Sequence, residues 1–239
     1  MEHWDRLRGD QGFYWDDGLF RPSTDTFLLG GFPVLRRGER VCDLGAGTGL
    51  LGALLLTREP SLTVTGLELS PAACALADRT AAANGLTDRL ITLPCDLRDR
   101  RQLPPAGRFD LAVSNPPYFP ARGGKTAAGS RGIHRAELAC TMEQLCAAAA
   151  YLLRSGGQFC LVYRTERLAE LMETLRRHRL EPKVLRFVQK NAASAPSLLL
   201  MACRKDGGTG LAVQPPLLLQ NDDGTETPEL RRIYFKEKG

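Results

Sequence analysis

Long hydrophobic runs are missing from this 239-residue sequence. Its most apolar stretches, residues 50–56 and 198–203, fall far short of the ~20 residues that a membrane-crossing helix needs. No apolar segment follows the opening Met1-Glu2-His3-Trp4-Asp5-Arg6, so no secretory signal is expected and the predicted compartment is the cytoplasm. Paired cysteines are missing too. Cys42, Cys74, Cys95, Cys140, Cys146, Cys160 and Cys203 include no C-x-x-C spacing, which argues against a disulfide framework and a zinc site. Histidine is scarce, and none of the three has a serine or cysteine partner at a recognised spacing. No internal repeat is visible. What remains is ordinary globular composition, 43% hydrophobic and 25% charged, which excludes wholesale disorder and a fibrous repeat. The excess of 32 Lys and Arg over 27 Asp and Glu permits a polyanionic partner without requiring one.

From about residue 40, strand and helix patterns alternate. Strands are expected at 40–44, 62–67, 89–95, 109–114, 158–163, 184–188 and 197–203. Helices are expected at 50–58, from Ser70-Pro71 to Asn84-Gly85, at 138–154 with a stop at Gly156-Gly157, and at 166–179. Serine is a favoured N-cap and proline a favoured first helical residue. Such alternation predicts an α/β fold, a mostly parallel seven-stranded sheet with helices on both faces. Three segments stand outside the pattern: residues 1–38, the Gly- and Arg-rich loop 119–135, and the tail 206–239. In that tail Thr227-Pro228-Glu229 reads as a cap opening a short helix. The expected organisation is a domain over 39–205, preceded by a segment leading into its pocket and followed by an extension packed upon it.

The first strand runs into Asp43-Leu44-Gly45-Ala46-Gly47-Thr48-Gly49. Glycines there allow close approach to a ligand and positive φ. Dinucleotide folds use a related turn, but Asp43 would repel a pyrophosphate and attract a cationic amino group. Glu68 ends the next strand, where it can hold two ribose hydroxyls. Asp96 ends the third, where it can accept from an adenine amino group. This series resembles the S-adenosylmethionine site of class I, Rossmann-like methyltransferases.

Asn115-Pro116-Pro117-Tyr118 ends the fourth strand, beside the crevice expected at the carboxyl ends of parallel strands. An exocyclic adenine amino group is a poor nucleophile because its lone pair is delocalised into the ring. Two acceptors aimed at its protons, the Asn115 side-chain oxygen and the Pro116 carbonyl, would free that lone pair. The paired prolines restrict the backbone, so the carbonyl is pre-aimed, and Tyr118 offers a face for stacking. The reaction is then an in-line displacement on a sulfonium methyl, helped by positioning and calling for no metal. Pro94-Cys95 is similar to the Pro-Cys of cytosine-C5 methyltransferases, but it ends the third strand and not the fourth.

With this tetrapeptide after that cofactor signature, the chain resembles the Asn/Asp-Pro-Pro-aromatic amino-methyltransferases. It resembles most the bacterial tRNA(Val) adenine-N6 methyltransferase family, which modifies the adenine 3′ of the anticodon. The likeness extends through Phe20-Arg21-Pro22-Ser23-Thr24-Asp25-Thr26-Phe27-Leu28-Leu29, Tyr163-Arg164-Thr165-Glu166-Arg167-Leu168, Glu181-Pro182-Lys183, Pro215-Pro216-Leu217 and Thr227-Pro228-Glu229-Leu230. One departure is Ile133-His134-Arg135-Ala136-Glu137, where the order Ala-Arg-His-Glu is expected. The resemblance implies S-adenosylmethionine as cofactor, held by Asp43, Gly45, Ala46, Gly47, Gly49, Glu68, Leu69, Asp96, Leu97 and Asn115. It implies catalysis by Asn115, Pro116 and Tyr118. RNA, in the form of a tRNA anticodon loop, is the expected partner, contacted through Pro117, Phe119, Arg122, Lys125, Arg131, His134 and Arg135; the oligomeric state is open, with a monomer favoured. Two neighbouring activities share the tetrapeptide chemistry, glutamine N5-methylation of release factors and guanine-N2 methylation of ribosomal RNA. A non-catalytic cofactor- or RNA-binding module is the remaining alternative, and a binder has no use for two aimed acceptors.

Overall fold

The computed structural model describes residues 1–19, 21–117 and 140–236. Residues 1–38, outside the alternating pattern, hold a hairpin of β1 (Glu2–Arg8) and β2 (Gln11–Asp16) and then helix α1 (Thr24–Gly31). The alternation follows as β3 (Arg40–Leu44), α2 (Leu50–Arg58), β4 (Thr63–Glu68), α3 (Pro71–Ala83), β5 (Leu90–Pro94) and β6 (Phe109–Ser114). After the next described segment begins come α4 (Met142–Leu152), β7 (Leu153–Arg164), α5 (Leu168–Arg177), β8 (Leu180–Gln189), β9 (Leu198–Lys205), β10 (Ala212–Leu218) and α6 (Pro228–Ile233).

Eight strands form one sheet in the order β10-β8-β9-β7-β6-β3-β4-β5. From β5 to β7 all neighbours are parallel. β9 runs antiparallel to both β7 and β8. Because helices cover both faces, the central strands bury side chains on both sides of the sheet. In β7, Cys160 and Val162 face one core with Leu28 and Leu29 of α1 and Leu51, Leu54 and Leu55 of α2. Phe159, Leu161 and Tyr163 face the other, with Leu145 and Ala149 of α4 and Leu171 and Leu175 of α5. β9 divides in the same way, Leu200 and Ala202 against Leu199 and Met201.

The sheet has one strand more than the seven expected. The extra strand is β10, in the tail, where Pro215 and Pro216 argue against a strand. It is tolerated because β10 is the sheet edge and its register with β8 slips between Gln214 and Leu217, which is where prolines lacking an N–H can sit. A second expectation also fails. Gly156-Gly157 does not stop a helix: α4 ends at Leu152, and both glycines lie inside β7 where its register with β6 shifts. A Cβ on Gly157 would stand 2.9 Å from the Arg154 carbonyl oxygen, so the irregular crossing requires glycine there.

The terminal segments are tied to this body. Asn84, after α3, exchanges hydrogen bonds with the Gly12 backbone at 2.9 and 2.8 Å, and Tyr14 N–H donates to Thr80 Oγ1 at 3.0 Å. At the other end Thr227 caps α6 by accepting from Leu230 N–H at 3.2 Å. Arg186 of β8 grips Glu229 of α6 through two bonds of 2.6 and 2.8 Å. Tyr234 stacks on Phe27 of α1 at 4.5 Å and donates to Thr24 Oγ1 at 3.0 Å.

Candidate active site at the switch between β3 and β6

β3 and β6 lie side by side, but the chain leaves them in opposite directions, toward β4 and β5 on one side and β7 on the other. Connections that diverge in this way are where open α/β sheets form a binding crevice, beyond the carboxyl ends of the strands. Ser114, the last residue of β6, is fully buried and donates to the Leu44 carbonyl at 2.7 Å. The two strand ends are thereby locked together at the crevice floor.

Above β3 the chain makes a tight turn, with Gly45, Gly47 and Gly49 at φ +76, +55 and +79. These are left-handed conformations that favour glycine. Gly45 and Ala46 donate their N–H groups to the Leu67 carbonyl at 2.9 and 3.2 Å. Gly47 donates to Glu68 Oε2 at 2.9 Å, and Ser70 N–H donates to Glu68 Oε1 at 2.8 Å. The turn rests directly on β4, since a Cβ on Gly66 would come within 2.8 Å of the Ala46 Cβ.

Asp43 is only 2% exposed, and its Oδ2 has no hydrogen-bond partner. Burial, with the nearby negative charge of Glu68 adding to it, raises its carboxyl to about 8. A buried, unpartnered carboxylate oxygen beside a second buried acid fits a cationic group, which would supply the missing partner and charge. At the end of β5, Asp96 is held by Arg98 through contacts of 2.8, 3.1 and 2.7 Å, which keeps its carboxyl below the usual range. Gln102 Oε1 accepts from the Asp96 N–H at 3.0 Å and fixes the loop. Leu69 is exposed and Leu97 half-buried, so both leucines can present apolar surface to a planar ring. Cys95 is buried, and burial pushes its thiol up, opposite to what a nucleophilic thiolate needs.

Asn115 follows β6, half-buried, with Pro116 buried and Pro117 exposed behind it. The Asn115 Nδ2 donates to Thr26 Oγ1 of α1 at 2.9 Å. Among the described residues no group donates to its Oδ1. The structure therefore brings Asp43, the glycine turn, Glu68 and Asn115 to one crevice, with Asp96 at the end of the same sheet. Tyr118, Phe119, Arg122, Lys125, Arg131, His134 and Arg135 lie outside the described residues.

Three participants escape the sequence reading. Thr26 lies in a helix that the pattern leaves unassigned, although Ser23 before Phe27-Leu28-Leu29 is a helix-start signal. Gly66 is a glycine inside a strand, which marks close backbone approach. Ser114 leaves no signal of its own.

The fold is that of a Rossmann-like methyltransferase. A predicted O-methyltransferase from Agrobacterium tumefaciens superposes with a TM-score of 0.73 at 22% identity, covering 88% of this chain and 95% of that one. Geranyl diphosphate C-methyltransferase from Streptomyces coelicolor, in complex with S-adenosyl-L-homocysteine, matches with a TM-score of 0.51 at 14% identity, over 71% and 72% of the two chains. The family model for the methyltransferase small domain matches residues 22–181, and the chain belongs to that family. A tRNA1(Val) (adenine(37)-N6)-methyltransferase from Dickeya chrysanthemi is 30% identical over 87% of this chain and 83% of its own length. A release factor glutamine methyltransferase from Rhodospirillum rubrum is 36% identical, over 48% of this chain and 37% of that protein.

Proposed function

We propose that this methyltransferase transfers a methyl group from S-adenosylmethionine to N6 of adenine in tRNA, at the adenine 3′ of the anticodon in a valine tRNA. The observation that carries the reading is Asn115 at the carboxyl end of β6, its amide nitrogen donating to Thr26 and, among the described residues, no group donating to its oxygen. Similarity over most of both chains to an adenine-N6 enzyme supports the choice of base.

S-adenosylmethionine, when bound, supplies an electrophilic sulfonium methyl. Asp43 takes its ammonium, which restores the ionised form of a carboxyl that burial otherwise protonates. Glu68 accepts from the ribose hydroxyls while keeping the glycine turn in place. Leu69 and Leu97 flank the adenine ring of the cofactor, and Asp96, kept ionised by Arg98, accepts from its amino group. On the substrate side Asn115 Oδ1 and the Pro116 carbonyl accept the two protons of the target amine. That pulls its nitrogen toward tetrahedral geometry and directs the lone pair at the methyl carbon. The amine becomes acidic only as the new C–N bond forms, so its proton leaves to solvent without a strong base. An anticodon-loop base is already single-stranded, which lowers the cost of splaying it into the site. Such a role is one for the cytoplasm, where tRNA is modified.

The same two acceptors would serve a glutamine amide, and the similarity to a release factor methyltransferase rests on about half of this chain. A transfer assay with isotope-labelled S-adenosylmethionine separates the readings. Total bacterial tRNA and a release factor are offered as substrates, and the products are digested and identified by mass spectrometry. N6-methyladenosine is expected; label on a glutamine side chain or in N2-methylguanosine would overturn the proposal.

A further inference from the structure

We infer that Thr26 is a positioning residue that fixes which end of the Asn115 amide faces the substrate. The inference rests on the proposed amine acceptor. A primary amide has two nearly isosteric ends, an accepting oxygen and a donating NH2. Only one orientation works against an amine, because an NH2 aimed at another NH2 sets donor against donor. Nothing in the covalent structure of Asn115 selects between the two, since half a turn about the terminal torsion exchanges them.

Thr26 makes the selection. It stands in the first turn of α1, three residues after Ser23, so the two hydroxyls share one face. Thr26 Oγ1 lies 2.9 Å from Asn115 Nδ2 and 3.2 Å from Ser23 Oγ. Either hydroxyl can donate in the Ser23–Thr26 contact; with Thr26 as the donor, its oxygen presents only lone pairs to Asn115. It can accept from Nδ2 but cannot donate to Oδ1, so the amide is held with its oxygen outward. The helix itself is held from outside the crevice. Tyr234 donates to Thr24 Oγ1 at 3.0 Å, and the Tyr234 ring stacks on Phe27. A segment before the alternating domain and another after it thus together set the polarity of a group at the end of β6.

Three variants test this, read by turnover, cofactor affinity, melting temperature and amide hydrogen exchange. Thr26→Val keeps the shape and removes the acceptor; Thr26→Ser keeps the acceptor; Asn115→Ser assigns the Asn115 side-chain amide signals in 15N-labelled protein. Thr26→Val is expected to lower kcat about tenfold, leaving cofactor affinity and melting temperature close to wild type, with Thr26→Ser recovering most of the rate. In the amide spectrum Thr26→Val should speed hydrogen exchange at Asn115 Nδ2, and Thr26→Ser should not. Wild-type kcat in Thr26→Val, or a loss explained by weaker cofactor binding and lower stability, would overturn the positioning role. So would unchanged exchange at Asn115 Nδ2, a readout that needs no substrate. Failure of the wild-type protein to methylate adenine would instead overturn the proposed substrate, and the amide spectrum would still decide the Thr26 contact.

Discussion

Glu68 Oε2 accepts the Gly47 N–H at 2.9 Å, so the acid that ends β4 holds in place the glycine turn that follows β3. Its other oxygen takes the Ser70 N–H at 2.8 Å at the start of α3. A carboxylate has about four lone-pair sites, so this structural duty leaves room for ribose hydroxyls. Glu68→Ala should therefore do two things. Leaving two backbone donors without an acceptor should cost about 2 kcal/mol or more of stability, seen as a lower melting temperature. Calorimetric titration should also show S-adenosylmethionine binding weakened at least about tenfold, as expected for the loss of charge-assisted hydrogen bonds. Unchanged affinity would remove Glu68 from the ribose site.

The buried carboxyl of Asp43 predicts a pH dependence. Its folded-state value, about 8, lies above the ordinary 3.8 because burial and Glu68 disfavour the charged form. A bound ammonium favours the ionised form, so binding must expel a proton below about pH 8. Affinity for S-adenosylmethionine should then rise with pH between about 6 and 7.5, by up to about tenfold per unit. Asp43→Asn should bind weakly and with a flat profile. In the absence of ligand the sign for folding is opposite. The folded chain holds a proton that the unfolded chain has released, so this group's contribution to stability falls as pH rises from about 4 to about 8.

Removal of the substrate acceptor should separate chemistry from binding. Asn115→Ala is expected to lower kcat by at least about a hundredfold, while cofactor affinity stays within a few-fold, the pattern of an interaction strengthened in the transition state. Single-turnover methyl transfer alongside a cofactor titration checks both halves. A variant with full turnover would refute the mechanism.

Gly66 is predicted to matter through the glycine turn that rests on it. A Cβ there would meet the Ala46 Cβ at 2.8 Å, so Gly66→Ala must lift the glycine turn off β4. Overpacking of this kind costs about 1–3 kcal/mol. The expected result is a protein with a lower melting temperature whose cofactor affinity falls further than its fold content by circular dichroism. Normal affinity would show that the turn adapts without moving its ligand groups.

The alternating elements from β3 to β9 were legible in the sequence because each carries its own period, with caps such as Ser70-Pro71 to mark the boundaries. Asp43, Glu68, Asp96 and Asn115 were legible as candidates because each ends a strand, and parallel strands deliver their carboxyl ends to one side of the sheet. β10 was hidden by Pro215 and Pro216, whose tolerance depends on lying at an edge. Gly156-Gly157 misled because a glycine pair marks a helix end and an irregular strand crossing equally well. β1, β2 and α1 were missed because a short hairpin and a two-turn helix have little periodicity and depend on docking, to Asn84 and Thr80 on one side and Tyr234 on the other.

The sequence by itself determined the fold class, the glycine turn and the set of polar groups at the strand ends, since all of these follow from local spacing and chain order. Only the tertiary structure decided the state of those groups. Burial beside Glu68 sets the proton on Asp43, and a hydroxyl 89 positions away in the chain orients Asn115. The physical reason is range. Periodicity and capping act over a few residues, whereas desolvation and side-chain hydrogen bonds depend on which distant segments the packed sheet brings within a few ångströms.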